Sequence, residues 1–222
     1  MMRSMEVDSI RPLFRGWLHA ATFLPAVVGA AALVILASGD RTKQLSLLVY
    51  GIALASLFGV SALYHRISWS PAWRRRLQRA DHANIFVMIA ATYTPISVTV
   101  LSGSARIFVL VTIWLTAGLG AALVIAPLRM PRWVMVSLYI AVGWVALLVI
   151  PALVASLGAG GIAVLLTGGA LYSLGAVAYA MRRPRLWPRV FGYHELFHLL
   201  VVAASAVFFL FMTLTVLPAT RS

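Results

Sequence analysis

Apolar runs of about twenty residues recur along this chain, and they limit what it can fold into. Seven are recognisable, at 17–38, 44–65, 81–101, 105–126, 132–151, 159–181 and 193–217. At 1.5 Å rise per residue, a helix of ~20 residues crosses a hydrocarbon layer ~30 Å thick. The breaks between runs are turn-like: Ser38-Gly39-Asp40, Ser70-Pro71, Ser102-Gly103-Ser104, Pro127 to Pro131, Gly158-Ala159-Gly160-Gly161 and Pro184 to Pro188. Charged residues make up 10% of the chain, against about 25% in a soluble domain. The expected fold is all-α: a polytopic membrane protein, a seven-transmembrane-helix bundle forming one domain over 1–222, with no room for a separate soluble domain. The first run carries His19 and Pro25 and is longer than a signal-peptide core, so it is expected to be a retained helix. No internal repeat is evident.

The net charge of +13, from 18 basic and 5 acidic residues, does not indicate nucleic-acid binding, because the basic residues sit in short connections between apolar runs. There they act as topology signals. With the N-terminus in the cytoplasm, Arg3, Arg11, Arg15, Arg66, Arg74, Arg75, Arg76, Arg79, Arg129, Arg132, Arg182, Arg183, Arg185 and Arg189 fall inside. Arg41, Lys43, Arg106 and Arg221 fall outside. That asymmetry predicts a cytoplasmic N-terminus, in the cell inner (plasma) membrane. Trp17, Trp69, Trp73, Trp133 and Trp187 lie at the same inner boundary, as an aromatic belt does. Trp114 and Trp144 do not, and are expected to pack within the bundle. The Arg74–Arg76 run suits anionic lipid headgroups.

Ionisable side chains inside a membrane are costly, so their placement is informative. Of the acids, Glu6 and Asp8 lie in the N-terminal tail and Asp40 in an outer connection, leaving Asp81 and Glu195. The histidines are His19, His65, His82, His194 and His198. The predicted topology brings His65, Asp81-His82 and His194/His198 to one membrane depth from three helices. His194 and His198 are four apart and share a helix face, as do Ser61 and His65. There is no cysteine, so a metal must use His, Asp or Glu. Three histidines with water in the fourth place form a catalytic type of zinc site, and Asp81 is placed to hold and deprotonate that water. Such a donor set suits zinc better than magnesium or calcium.

Each residue also has a plainer reading. His65 serves as an interfacial cap of its helix, and Asp81 as a helix N-terminal charge favoured by the dipole. His82 is read as structural, and His19 as supporting the site or simply interfacial. Gly118, Gly120, Gly168, Gly169 and Gly175 are read as close-packing positions. Pro95 is read as a kink. Tyr64, Tyr93 and Tyr193 line the inner cavity or pack. The string His194-Glu195-Leu196-Phe197-His198 fits the H-E-x-x-H helix of zinc proteases, but the only ionisable side chain after His198 is Arg221. The third ligand therefore has to come from an earlier helix. Glu195 remains a possible secondary base beside the metal face.

Four runs carry a resemblance: Arg15-Gly16-Trp17-Leu18-His19, Ser61-Ala62-Leu63-Tyr64-His65-Arg66, Asp81-His82-Ala83-Asn84-Ile85 leading to Thr92-Tyr93-Thr94-Pro95, and Phe191-Gly192-Tyr193-His194-Glu195-Leu196-Phe197-His198. Together they resemble the hemolysin III family, bacterial relatives of the progestin and adiponectin receptors within a superfamily that includes alkaline ceramidases. The resemblance covers nearly the whole chain. It implies seven helices with a cytoplasmic N-terminus and zinc near the cytoplasmic face. It implies His65, His194 and His198 as ligands, Asp81 as the acid holding the water, and Ser61 as its companion. Relatives often carry a further histidine where Phe208 stands here. The expected function is a zinc-dependent hydrolase of a lipid amide or ester, drawing substrate from the inner leaflet. The alternative is a receptor-like, membrane-homeostasis or pore-forming (cytolytic) protein whose zinc is structural.

Overall fold

In a computed structural model the chain is described over residues 12–126, 130–187 and 189–220. Arg3, Arg11, Arg129 and Arg221, together with Glu6 and Asp8, lie outside the described residues. The elements are helical: α1 Trp17–Leu36, α2 Arg41–Arg66, α3 Pro71–Val100, α4 Gly103–Ile125, α5 Arg132–Gly143, α6 Ile150–Met181 and α7 Tyr193–Phe211. A 3-10 turn, Val145–Val149, joins α5 to α6, and a π turn, Met212–Val216, extends α7. There is no strand among the described residues, only one isolated bridge between Trp187 and Phe191.

Among the described residues, six helical segments are long and apolar enough to cross a membrane: α1 to α4, the 50-residue run Arg132–Met181, and Tyr193–Val216. The expected spans 132–151 and 159–181 are thus not separated by a glycine loop. Gly160 and Gly161 are helical, and the only non-helical residue inside α6 is Gly158, with φ 63° and ψ −177°. That conformation costs a glycine little and other residues more. The run doubles back there: the Arg132 guanidinium lies 4.7 Å over the Tyr179 ring, and Trp144 Nε1 donates to Ser173 Oγ at 3.0 Å.

The third expected span, 81–101, begins ten residues early. Ser70 accepts from the Trp73 amide at 3.5 Å and Pro71 opens the helix, a favourable N-terminal pairing. The arginine-rich segment is therefore an exposed first part of α3. Asp81 sits well inside the helix, not at its N-terminus, so the helix-dipole role expected of it does not hold.

The bundle is centred on α3, whose most apolar stretch is 61% buried against 22% for α1. On one side Leu33, Tyr50, Phe58 and Phe211 form a core with α3's Met88. On the other, Phe86 packs with Ile113, Tyr139 and Ala176. Gly120 and Gly168 let helices close up, since added β-carbons would lie 2.4 Å from Phe86 and 2.6 Å from Phe208. Gly118, expected to do the same, faces open space. Leu24, Ile35, Ile52, Ile107, Leu115 and Leu119 point outward, as lipid-facing residues do. Trp114 joins them at 41% exposure, against expectation, although its Nε1 donates to Thr94 Oγ1 at 3.1 Å.

The basic residues divide by end. Arg15, Arg66, Arg74–Arg76, Arg79, Arg132, Arg182, Arg183, Arg185 and Arg189 gather at the end where α1 starts and α2 stops. At the opposite end the buried Lys43 donates to the carbonyls of Leu217 and Ala219, closing the C-terminus of the last helix.

Candidate metal centre

The arginine-rich end of the bundle holds the polar cluster. α7 starts at Gly192, whose amide donates to Glu195 Oε2 at 2.8 Å, so the helix is already regular where His194 and His198 succeed each other one turn apart. His65 occupies the last turn of α2 and faces them. Its position depends on Gly16, with φ 77° just ahead of α1: a β-carbon there would lie 2.5 Å from His65 Cβ.

His65, His194 and His198 each present one ring nitrogen, and the three atoms lie within 4.8 Å of one another. His65 Nε2 and His194 Nε2 are 3.2 Å apart. Two ligands on tetrahedral zinc stand ~3.4 Å apart, given Zn–N of about 2.0–2.1 Å. His65 and His194 are thus spaced as two ligands of one ion, and His198 completes the group. His198 Nδ1 is buried without a hydrogen-bond partner. Converging imidazole nitrogens without a sulfur or a bridging carboxylate fit a borderline divalent cation such as zinc.

Asp81 reaches the same point from α3, with Oδ2 3.9 Å from His65 Nε2. The hydroxyl of Ser61, one turn before His65 and 2% exposed, faces this carboxylate. His82 Nδ1 lies 3.8 Å from Asp81 Oδ2, but it bonds the Gln78 carbonyl at 2.7 Å, and its Nε2 faces Tyr179 Oη at 3.4 Å. His82 thus braces α3 against α6. Glu195 is nearly fully buried, and both of its oxygens are engaged, one by Arg15 Nε and the other by the Gly192 amide. It joins the segment before α1 to the start of α7, beside two backbone bonds, Leu13 N to Arg189 O and Phe14 N to Val190 O.

One role, that of Arg15, was not legible in sequence, and His19, expected either to support the site or to be interfacial, is packed into it. Arg15 looks like a topology charge, yet it is the partner of Glu195; its place in the Arg15-Gly16-Trp17-Leu18-His19 run was the available signal. His19 is 3% exposed, and its ring stacks on that of His198 with centroids 3.9 Å apart and planes 5° from parallel.

Beyond the histidines an apolar cavity of about 110 Å3 opens between α3, α5, α6 and α7, with His19, Ser61, Asp81 and His198 at one end and Phe208 and Trp144 at the other. A second cavity of about 70 Å3 shares Tyr93, Trp144 and Phe208 and continues to Leu101 and Val109. Tyr93 lines both, and its hydroxyl bridges the helix break, donating to Gly143 O at 2.7 Å and accepting from Ala146 N at 2.8 Å. Tyr64 instead packs its ring 4.4 Å from His65, and the Tyr193 ring lies 6.5 Å from His194. Phe208 stacks on Tyr172 at 5.9 Å.

A sequence profile for the family described as "Haemolysin-III related" matches residues 8–209. The chain is 30% identical over 195 residues to a protein named "Hemolysin-3 homolog" from Bacillus subtilis (strain 168), covering 86% of this chain and 87% of that protein. It is 32% identical over 200 residues to "Hemolysin-3" from Bacillus cereus, covering 87% of each. It is 30% identical over 197 residues to "Monocyte to macrophage differentiation factor" from Homo sapiens, covering 85% of this chain and 77% of that one.

Proposed function

This chain belongs to the haemolysin-III related family, and from that premise we propose that it is a zinc-dependent hydrolase of a lipid amide or ester, ceramidase-like in its chemistry. The observation that carries this reading is the meeting of His65, His194 and His198 with Asp81 at the mouth of an apolar cavity. Zinc held by the three imidazoles would supply Lewis acidity, polarising a carbonyl and acidifying water. The chain's own groups do the rest. Asp81 holds the attacking water and takes its proton. Ser61 fixes the orientation of that carboxylate. The cavity walls take the acyl chain and keep bulk water away. Glu195, occupied by Arg15 and the Gly192 amide, holds the scaffold and is not the base.

The same reading gives seven crossings. Fifty helical residues measure about 75 Å, enough for two passes of ~30 Å, and the reversal at Gly158 turns one pass into the next. With arginines crowding the metal end, the N-terminus and the centre face the cytoplasm across the inner (plasma) membrane. Substrate then arrives sideways from the inner leaflet, and the exposed Arg74–Arg76 hold anionic headgroups nearby.

A second reading follows from the names of the Bacillus relatives: a cytolytic protein whose zinc only staples the bundle. The test is metal content of the detergent-purified protein beside fatty-acid release from a panel of N-acyl and O-acyl lipids. The hydrolase reading expects about one zinc per chain, with release abolished in Asp81→Asn while zinc stays. Zinc without release leaves the second reading; absence of zinc removes both.

A further inference from the structure

The polar groups lining the larger cavity can be accounted for one at a time. Thr92 Oγ1 donates to the Met88 carbonyl, Tyr139 Oη to the His82 carbonyl and Ser173 Oγ to the Gly169 carbonyl. Trp144 Nε1 donates to Ser173, Tyr172 pairs with Ser205, and Tyr93 bridges Gly143 and Ala146. Among the described residues, apart from the metal centre itself, that leaves His19. Both of its ring nitrogens are buried without a hydrogen-bond partner; the backbone of His198 comes near without completing one. Such groups are rare in folded proteins and call for an occupant.

The stack on His198 decides which occupant. The lone pairs and N–H bonds of an imidazole lie in the plane of its ring. Two rings 5° from parallel at 3.9 Å have planes that do not meet within the site, and van der Waals contact keeps them roughly 3.5 Å apart. An ion in the plane of His198 is out of reach of the in-plane nitrogens of His19, which is accordingly no fourth ligand. His19 lines the cavity one layer to the side of the metal ligands.

We infer that His19 is a substrate-contacting residue: its imidazole hydrogen-bonds a polar atom of the bound lipid beside the reacting carbonyl. The inference rests on the hydrolase reading for the kind of ligand and deepens it, because it gives the cavity a preference for acyl groups with a polar atom next to the carbonyl over plain hydrocarbon.

The test uses the zinc-loaded full chain in detergent micelles and octanoyl hydroxamate, whose chelating headgroup carries polar atoms next to its carbonyl. His19→Phe keeps the stack and loses the nitrogens. It should retain zinc at the wild-type ratio and bind the hydroxamate about tenfold more weakly, the usual weight of one hydrogen bond. His19→Gln should recover part of that loss. In wild-type protein labelled with 15N-histidine, the His19 ring signals should move when the hydroxamate is added, which decides the matter even if the variants fold poorly. Wild-type affinity in His19→Phe, unmoved His19 signals, or no hydroxamate binding by the wild type each overturns the inference. Loss of zinc in His19→Phe also overturns it, by showing that the residue serves the ligands. Binding requires no turnover, so a protein that binds the hydroxamate through His19 yet hydrolyses nothing sinks the hydrolase reading alone.

Discussion

Gly16 and His65 touch across the bundle so closely that a β-carbon on the glycine would sit 2.5 Å from that of the histidine. The glycine also holds φ 77°, a conformation strained for other residues. Gly16→Ala should therefore cost about 1–3 kcal/mol and displace His65. Thermal unfolding in detergent should show the loss of stability, and zinc titration a weaker site. An unchanged midpoint with full zinc affinity would mean that α1 can shift freely against α2.

His65→Ala and His198→Ala remove ligands from different helices. Each should reduce bound zinc from about one per chain to near none, measured by elemental analysis after gel filtration. Loss in only one of them would break the link between α2 and α7 at a common ion.

Asp81 and Glu195 are acids near the same centre with opposite expectations. Asp81→Asn should keep the fold and the metal and lose lipid hydrolysis. Glu195→Ala leaves the Arg15 guanidinium and the Gly192 amide without their partner. It should destabilise by about 2 kcal/mol or more, moderated because Arg15 is partly exposed. Arg15→Met with Glu195→Gln should recover part of that loss. If Glu195→Gln folds normally, binds zinc and fails to hydrolyse, Glu195 is the base after all.

The proposed double crossing of Arg132–Met181 can be read by labelling, because the chain has no cysteine. Ala159→Cys, exposed beside the reversal at Gly158, should react with an impermeant maleimide added outside intact cells. Arg74→Cys, exposed at the arginine end, should react only after lysis. Labelling of both from the same side would leave six crossings.

The centre was legible in sequence because its pieces follow local rules. A spacing of four puts His194 beside His198, and alternating helices return His65 and Asp81 to one depth. What escaped depends on how helices sit against one another. The stacking of His19 on His198 is set by the register of α1 against α7, which no spacing within either helix encodes. Glu195 carries the letters of a catalytic motif, but its ionic partner is an arginine 180 residues away. The early start of α3 is visible in Ser70-Pro71, a helix-opening pair, yet the arginines that follow lower the local hydropathy, so the segment reads as a loop. Gly158 escaped similarly: one glycine reverses the chain where four turn-forming residues suggested a loop.

The separation of 129 positions from His65 to His194 also sets a schedule. At ordinary translation speeds of about 5–20 residues per second, His65 waits roughly 6–26 seconds before its partners leave the ribosome. Two of the three nitrogens arrive only with the final helix. A nascent chain stalled anywhere earlier has an incomplete histidine cluster, so under the proposed zinc reading metal capture would report that synthesis has reached α7.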